Sequence, residues 1–126
     1  MFIKPDFSEA LEKQKLPDAE YSARIISVEI KTDKNQENYL MWKLSIFGCE
    51  GDLARFNNWF VSTMTYPTGK NAWRLKNLCK AVGYEPSADG FDTDELMGKE
   101  LKIGVVTAIK PDGTTDYPKI MSMRTI

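Results

Sequence analysis

Histidine is absent from this sequence, and cysteine occurs only twice, at Cys49 and Cys79. Without histidine, the chain has no Ser-His-Asp triad, no imidazole general base and no histidine-ligated metal site. It also lacks any apolar run of the roughly 18 residues that a membrane-spanning helix needs, and its first residues do not form a signal-peptide pattern. We therefore expect a cytoplasmic protein that makes no membrane contact, needs no metal or other cofactor and is not an enzyme.

Neither sign of charge dominates the composition. The 126 residues include 17 Lys and Arg and 18 Asp and Glu, for a net charge of −1. This balance excludes both a strongly basic nucleic-acid coat protein and an acidic disordered chain. Hydrophobic residues make up 42% of the sequence, enough for the core of one domain without disulfides. One stretch, 41–85, is net positive, with six basic and three acidic side chains.

The pattern of apolar residues predicts five β-strands and one helix. In the first strand, the parity of the apolar residues changes at Ile25-Ile26, which is typical of a β-bulge in a sheet that curls. The helix has one apolar stripe and is expected to end at Gly83. An N-terminal arm at 1–20, with a short helical segment from Ser8, precedes the domain at 21–126. The predicted strands are 21–31, 39–47, 53–62, 99–109 and 117–125, and the helix, 72–82, lies between the third and the fourth.

This order of elements predicts a mainly β protein, a five-stranded OB-fold-like Greek-key barrel with one helix between strands 3 and 4. An SH3-like barrel is the nearest alternative, although a helix of this length after strand three fits it poorly. In strand three, strict alternation places Phe56 and Phe60 inside the barrel and Val61 outside. The residues of strand two that are expected to face the core are Leu40, Trp42, Leu44 and Ile46.

Two motifs that resemble functional sites have simpler explanations. Gly69-Lys70 lacks the upstream glycine and the following Ser or Thr of a P-loop. The acidic residues at 89–95 lack the spacing of an EF-hand loop, and Asp92 is the predicted cap of a short helical turn. We therefore predict neither a catalytic site nor a metal site.

The outer face of strands two and three is the predicted binding surface. OB-folds bind single strands on this face, where aromatic rings stack on bases and cations neutralise phosphates. The hairpin loops beside it supply further polar and basic groups. The candidate nucleic-acid-binding residues are Tyr39 and Trp59 for stacking, Lys31, Lys34, Lys43 and Arg55 for phosphates, Asn57 on the same face, and Tyr117 and Lys119 from the last hairpin.

Other ligands fit the same residue pattern. An exposed Trp59 beside Tyr39 and Met41 would also suit a protein partner or a homodimer contact, and OB-folds bind oligosaccharides as well. Double-stranded DNA is a weaker candidate, because the basic residues of the predicted helix are spread around it. The pattern leaves both a single-stranded nucleic acid and a protein-interaction adaptor open.

Four phrases of the sequence, taken in order, resemble one protein family. They are LPDAEYSARI at 16–25, YLMWKLSI at 39–46, WRLKNLCKAVG at 73–83 and TDELMGKEL at 93–101. The family consists of small bacteriophage and prophage proteins, catalogued as a domain of unknown function and encoded among replication and recombination genes. Ala19 stands where that family tends to have glycine. The resemblance implies an OB-fold that binds single-stranded DNA during phage replication or recombination in the host cytoplasm, beside phage or host replication and recombination proteins.

Overall fold

The strands of this protein form one antiparallel sheet, which confirms the predicted mainly β class. The computed structural model describes residues 1–4, 15–109, 113 and 116–126. The strand order is β3-β2-β1-β4-β5, and in the described part of the chain no backbone ladder joins the edge strands β3 and β5, so the sheet is not closed. The elements are β1 (Ala19–Thr32), β2 (Asn38–Phe47), a 3-10 helix (Gly51–Phe56), β3 (Phe60–Thr65), α1 (Trp73–Ala81), a second 3-10 helix (Thr93–Leu96), β4 (Glu100–Ile109) and β5 (Asp116–Arg124).

The predicted bulge in β1 is confirmed. The pairing of β1 with β2 shifts register between Ile25 and Ser27, which leaves Ile26 without a partner across the ladder. At the same point, the Ile25 N–H donates to the Lys99 carbonyl at 3.0 Å, and the Gly98 N–H donates to the Ile25 carbonyl at 2.8 Å. The bulge therefore divides β1 into a first half shared between β2 and β4 and a second half paired with β2 alone.

The core lies on the inner face of the sheet, and the prediction for β2 is confirmed at all four of its inward positions. Trp42 is fully buried, and its indole Nε1–H donates to Thr65 Oγ1 at 2.8 Å, so the polar atom of this large side chain is satisfied. Burial of a large apolar side chain contributes about 1.5–3 kcal/mol, which makes this face a major source of stability. The buried β2 side chains are Leu40, Trp42, Leu44 and Ile46.

The helix α1 covers one part of this core and ends as predicted. Leu75 and Leu78 are buried on its apolar stripe. Gly83, with φ of +73°, follows the last turn. Its N–H donates to the Lys80 carbonyl at 3.2 Å, and the Tyr84 N–H donates to the Cys79 carbonyl at 2.9 Å. These two bonds are the Schellman pattern, which glycine favours because it has no Cβ to oppose a left-handed conformation.

The prediction for the third strand is wrong in both its start and its phase. The segment that precedes Asn57 is a 3-10 helix, and β3 begins only at Phe60. The Asn57 side chain accepts from the Cys49 N–H at 2.8 Å and donates to the Cys49 carbonyl at 3.1 Å, while Asn58 has a φ of +70°. This turn reverses the expected alternation, so Val61 is buried and Phe60 is 56% exposed.

The first strand begins slightly earlier than the sequence pattern indicates. β1 already begins at Ala19, and Leu16 is buried in the core. The Tyr21 hydroxyl donates to the Pro17 carbonyl at 2.6 Å, which ties the chain before the strand to the strand itself. The helical segment predicted from Ser8 and most of the predicted turn of the last hairpin lie outside the described residues.

Within the described ranges, no helix has both the length and the apolar character needed to cross a membrane. They also contain no group of three or more Cys, Asp or Glu side chains arranged to hold a metal ion. The Asp92 carboxylate, considered above within the acidic segment, caps the second 3-10 helix by accepting from the Asp94 N–H at 2.9 Å.

Candidate nucleic-acid interface

The outer face of β2 and β3 carries several apolar and aromatic side chains, with Lys43, Ser45 and Ser62 between them. Since successive side chains of a strand point to opposite faces, the residues that alternate with the buried core of β2 point outward. Cross-strand pairing sets Met41 opposite Met64 and Ser45 opposite Phe60. We call this surface the platform, and its residues are Tyr39, Met41, Lys43, Phe47, Phe60, Met64 and Tyr66.

At one end of the platform, a cation lies on an exposed aromatic ring. Lys43 Nζ is 4.1 Å from the centroid of the Phe60 ring on the neighbouring strand. Both side chains are exposed, and among the described residues Lys43 has no carboxylate within ion-pair distance. A cation–π contact at an exposed site contributes only about 0.5–1 kcal/mol. Lys43 can therefore leave the ring at small cost and reach a phosphate while the ring stacks.

At the other end, two tyrosines are held by the β1–β2 hairpin. The rings of Tyr39 and Tyr66 are 5.9 Å apart and inclined at 48°. The Tyr66 hydroxyl donates to Asp33 Oδ2 at 2.9 Å. The other carboxylate oxygen, Oδ1, accepts from the N–H groups of Asn35 at 2.8 Å and Glu37 at 2.9 Å. One carboxylate thus organises the hairpin turn and attaches it to the end of β3.

These contacts shift the pKa values of both partners in the expected directions. The Glu37 N–H and, after it, the Tyr66 hydroxyl lower the pKa of the Asp33 carboxyl, because they stabilise its charged form. The bond to Asp33 raises the pKa of the Tyr66 hydroxyl. At neutral pH the pair is therefore a carboxylate acceptor and a phenol donor, which keeps the Tyr66 ring beside Tyr39.

The middle of the platform is apolar. Met41 and Met64 are direct cross-strand neighbours, and Met64 is 40% exposed. Thioether side chains are flexible and polarisable, so they pack well against the face of a flat ring. The pair connects the Lys43–Phe60 end to the Tyr39–Tyr66 end without a charged side chain between them on β2 or β3.

Two other cations border the platform but are paired with carboxylates. Arg24 donates to Glu100 Oε2 through Nη2 at 2.6 Å and lies 5.1 Å from the centroid of the Phe47 ring. Lys31, opposite Tyr39 in the ladder, lies 3.7 Å from Glu29. Exposed pairs of this kind are weak, so Lys31 can exchange its partner for a phosphate more easily than Arg24, which makes two hydrogen bonds.

Four predicted site residues lie where the sequence analysis placed them. Tyr39 and Lys43 point outward from β2, and Lys31 stands beside them on β1. Lys34 is exposed in the hairpin turn at the tyrosine end. These residues come together because β1, β2 and the tight turn between them form one antiparallel hairpin.

The expected position of three others on the outer face of strand three is wrong. Arg55 lies on the first 3-10 helix, with its guanidinium 5.0 Å from the centroid of the Phe56 ring. Asn57 forms the turn described above. Trp59 is half-buried against the core, with its ring edge-on to Phe56 at 4.8 Å. All three precede β3, so they do not share its alternation.

The last two predicted residues lie outside the platform, on β5. Tyr117 and Lys119 are on β5, where they pair with Ala108 and Val106 of β4. β5 is the edge strand opposite β3 in the strand order. Lys119 is exposed and Tyr117 is half-buried.

Sequence reasoning missed Phe60, Met64 and Tyr66 as members of the outer face. The available signal was Asn57-Asn58, since paired asparagines mark turns and tolerate positive φ. A strand that starts after this pair has Val61, Thr63 and Thr65 on the inner face and the three missed residues on the outer one, as observed.

Comparison with known proteins adds a family but no activity. A family model described as "Protein of unknown function (DUF669)" matches residues 3–126. No curated protein matches the chain. The sequence analysis expected a family of unknown function, and this part of the resemblance is confirmed, whereas the phage setting stays a prediction. Because the match covers nearly the whole chain, the protein belongs to the family described as Protein of unknown function (DUF669).

Proposed function

We propose that this protein binds single-stranded DNA with low sequence specificity through the platform. The observation that carries the proposal is the contact between Lys43 and Phe60, in which an exposed ring and an exposed cation occupy neighbouring strands. Single-strand binding needs rings that stack on bases and cations beside them that neutralise phosphates, and stacking contributes about 1–3 kcal/mol per base. The phage replication or recombination setting follows from the family resemblance alone.

The dimensions of the platform suit a short stretch of extended strand. Tyr39 and Ser45, the partner of Phe60, are six positions apart on β2, and at about 3.4 Å per position this is roughly 20 Å. Bases could stack in turn on Phe60, on the methionine pair and on the tyrosines. Because none of these contacts reads a base edge by hydrogen bonding, the platform favours binding with little sequence preference.

The OB-type barrel is part of the same proposal. An OB-fold is a five-stranded, partly open Greek-key barrel that binds oligonucleotides on the face of strands two and three. Three features support it here: the bulge in β1, a helix between β3 and β4, and the order β3-β2-β1-β4-β5. Arg74 of α1 also spans the open seam, since Nη2 donates to Thr63 Oγ1 of β3 at 2.7 Å and to the Ile120 carbonyl of β5 at 3.3 Å.

A protein-interaction adaptor is the second candidate, and the outward-facing methionine pair, Met41 and Met64, favours it. Met and aromatic residues are enriched at protein interfaces, and the centre of the platform has no charged side chain on β2 or β3. In this alternative, Phe60 and Met64 would be covered by a phage or host protein or by a second copy of the chain, and oligonucleotides would not compete.

Fluorescence anisotropy of labelled oligo-dT and of a matched duplex tests the proposal. We expect the single strand to bind more tightly than the duplex. With Lys31, Lys34 and Lys43 as the phosphate contacts, affinity should fall about 20-fold between about 50 and 200 mM salt. Absence of oligo-dT binding at tens of micromolar protein would overturn the proposal. Sedimentation velocity on the same samples then shows whether the chain forms a dimer, which the adaptor alternative allows.

A further inference from the structure

The second half of β1 has an open edge. β4 pairs with β1 only from Ala19 to Arg24, and beyond the bulge at Ile26 no strand of the described chain lies on that side. From Ser27 to Thr32, β1 is paired with β2 alone. A strand edge of this kind presents a row of N–H and C=O groups to which another strand can add.

The hydrogen-bonding pattern identifies the backbone groups on this edge. In the hairpin turn, the Asp33 N–H donates to the Glu37 carbonyl at 2.9 Å, so the backbone of Asp33 faces β2. Because backbone groups point to alternate sides along a paired strand, those of Lys31 and Glu29 also face β2. The groups between them point away from β2, and no backbone group of the described chain bonds to them. These edge residues are Val28, Ile30 and Thr32.

The side chains on this edge leave one apolar residue uncovered between two opposite charges. Ile30 is 74% exposed, and it lies on the core side of the sheet, as does its ladder partner Leu40. Glu29 and Lys31 point to the outer side, where Lys31 Nζ is 3.7 Å from Glu29 Oε2. Both of these side chains are exposed. The edge thus offers an apolar contact on one face and an acid and a base on the other.

The open edge is symmetric about Ile30. The bulge at 26 and the start of the turn at 34 each lie four positions from it. An antiparallel second copy centred on Ile30 would set Glu29 of each chain opposite Lys31 of the other. The two Ile30 side chains would then meet, and the outward N–H and C=O groups of the edge residues would face one another. Opposite charges across a ladder are stabilising.

Neighbouring registers lack this charge complementarity. Since only the edge residues have free backbone groups, the nearest registers that keep the hydrogen bonds are centred on position 29 or on position 31. The first sets Glu29 opposite Glu29, and the second sets Lys31 opposite Lys31. Like charges directly opposite each other are destabilising, so the sequence favours the register centred on Ile30.

We propose that two copies of this chain form a symmetric dimer by antiparallel pairing of the second half of β1. A second copy fits this edge better than an unrelated strand because the edge is its own complement in charge, length and hydrogen bonding. Symmetric pairing of one patch with itself is the usual form of a protein dimer. One strand edge from each copy makes a small interface, so we expect a dimer that dissociates in the micromolar range.

This interface leaves the platform uncovered. When two sheets join edge to edge through antiparallel strands, the two-fold axis is perpendicular to the sheet, so the outer faces of both copies lie on the same side. The inference does not depend on the proposed function, because association is measured on the chain alone. If both hold, two platforms share one face of the dimer.

Sedimentation velocity of the chain alone, from about 1 to 300 μM, tests for the dimer, whose population rises with concentration by mass action. Hydrogen exchange at low and high concentration tests its geometry. The amides of Val28, Ile30 and Thr32 should become protected in the dimer, whereas those of Glu29 and Lys31 already face β2 and should change little. A chain that stays monomeric, or a dimer without this alternation, would overturn the inference and leave the edge to a strand of another protein.

Charge reversal tests the register. Glu29→Lys and Lys31→Glu each set like charges opposite in both cross-strand pairs, so each should raise the dimer dissociation constant about tenfold or more. An equimolar mixture of the two variants should recover dimerisation, because opposite charges then face each other again. The controls are Glu85→Lys and Lys80→Glu, at exposed positions outside β1, which should not change the dissociation constant. Reversals that behave like these controls would contradict the proposed register.

Ile30→Pro tests the backbone contact. Proline removes an N–H that points away from β2, a position where an edge strand tolerates it, and should abolish the dimer. Ile30→Thr keeps the N–H and a β-branched side chain, and it should retain most of the association. Circular dichroism shows whether each variant is folded, and the charge reversals decide alone if Ile30→Pro is not. A folded Ile30→Pro that dimerises like the original chain would overturn the inference.

Discussion

Lys43 and Phe60 lie on adjacent strands, with the ammonium nitrogen 4.1 Å from the centroid of the ring. They are not direct ladder partners, because Lys43 pairs with Ser62 and Phe60 with Ser45. The contact is a diagonal one across the outer face, within reach of a long side chain. It joins the two chemical functions that single-strand binding needs, and it exists only because β3 begins at Phe60.

Phe60→Ala should weaken oligo-dT binding about five- to hundredfold, the range for one lost stacking partner. Because Phe60 is 56% exposed, the melting temperature should change by only a few degrees. Anisotropy titrations and thermal unfolding measure the two effects.

Trp59→Ala, at the neighbouring position, is the matched control. Trp59 packs edge-on against Phe56, so its loss should cost about 2–4 kcal/mol of unfolding free energy in urea. Oligo-dT affinity of the folded variant should stay near that of the original chain. The reverse pattern, stable Trp59→Ala with weak binding, would contradict the assignment of the two rings.

Lys43→Gln should reduce the salt dependence of strand binding. Each phosphate neutralised on a single strand contributes about −0.7 to the slope of log K against log salt, so the slope should become shallower by about this amount. Lys80→Gln on α1 is the control, since Lys80 is exposed on an element outside the platform. Equal slopes for both variants and the original protein would show that Lys43 does not contact a phosphate.

The Asp33 carboxylate, in the turn between β1 and β2, predicts that the stability of the protein depends on pH. The pKa of Asp33 is lower in the folded protein than in the unfolded chain, chiefly because the Glu37 N–H donates to it and then because of Tyr66. Its contribution is complete above the unfolded pKa of about 3.9 and is lost as the pH falls through the folded value. The difference in unfolding free energy between the original protein and Asp33→Asn should therefore shrink below about pH 4.

Urea denaturation at several pH values measures this difference. Glu85→Gln is the control, because Glu85 is exposed and lies outside the hairpin. Tyr66→Phe should reproduce part of the Asp33→Asn effect at neutral pH, since it removes one of the donors to Asp33. A difference that stays constant from neutral pH to pH 2 would contradict this role of the carboxylate.

Thr65→Val should destabilise the core by about 1–3 kcal/mol, because it leaves the buried Trp42 Nε1–H without its acceptor. Valine matches threonine in shape, so the loss reports the hydrogen bond rather than a cavity. Thr68→Val, at an exposed position after β3, is the control and should be nearly neutral. Chemical denaturation followed by tryptophan fluorescence measures both variants.

Local sequence patterns were sufficient to predict most of the strands and the helix α1. The alternation at 39–47 predicted β2 and its core face, because a period of two leaves only one face apolar. The parity change at Ile25-Ile26 predicted the bulge, and Gly83 predicted the end of α1, because both depend on backbone geometry within a few residues.

The composition of the platform depends on contacts between residues that are distant in sequence. The start of β3 is set by Asn57, whose side chain makes two hydrogen bonds with the backbone of Cys49. The alternation of apolar residues in 53–62 does not indicate this contact. The tyrosine end is decided by Tyr66 and Asp33, which are 33 positions apart and meet only when the sheet has formed. Amino-acid types thus determined the strands and their cores, whereas tertiary pairing decided which rings and cations share a face, since a one-residue change of phase moves every side chain to the other side.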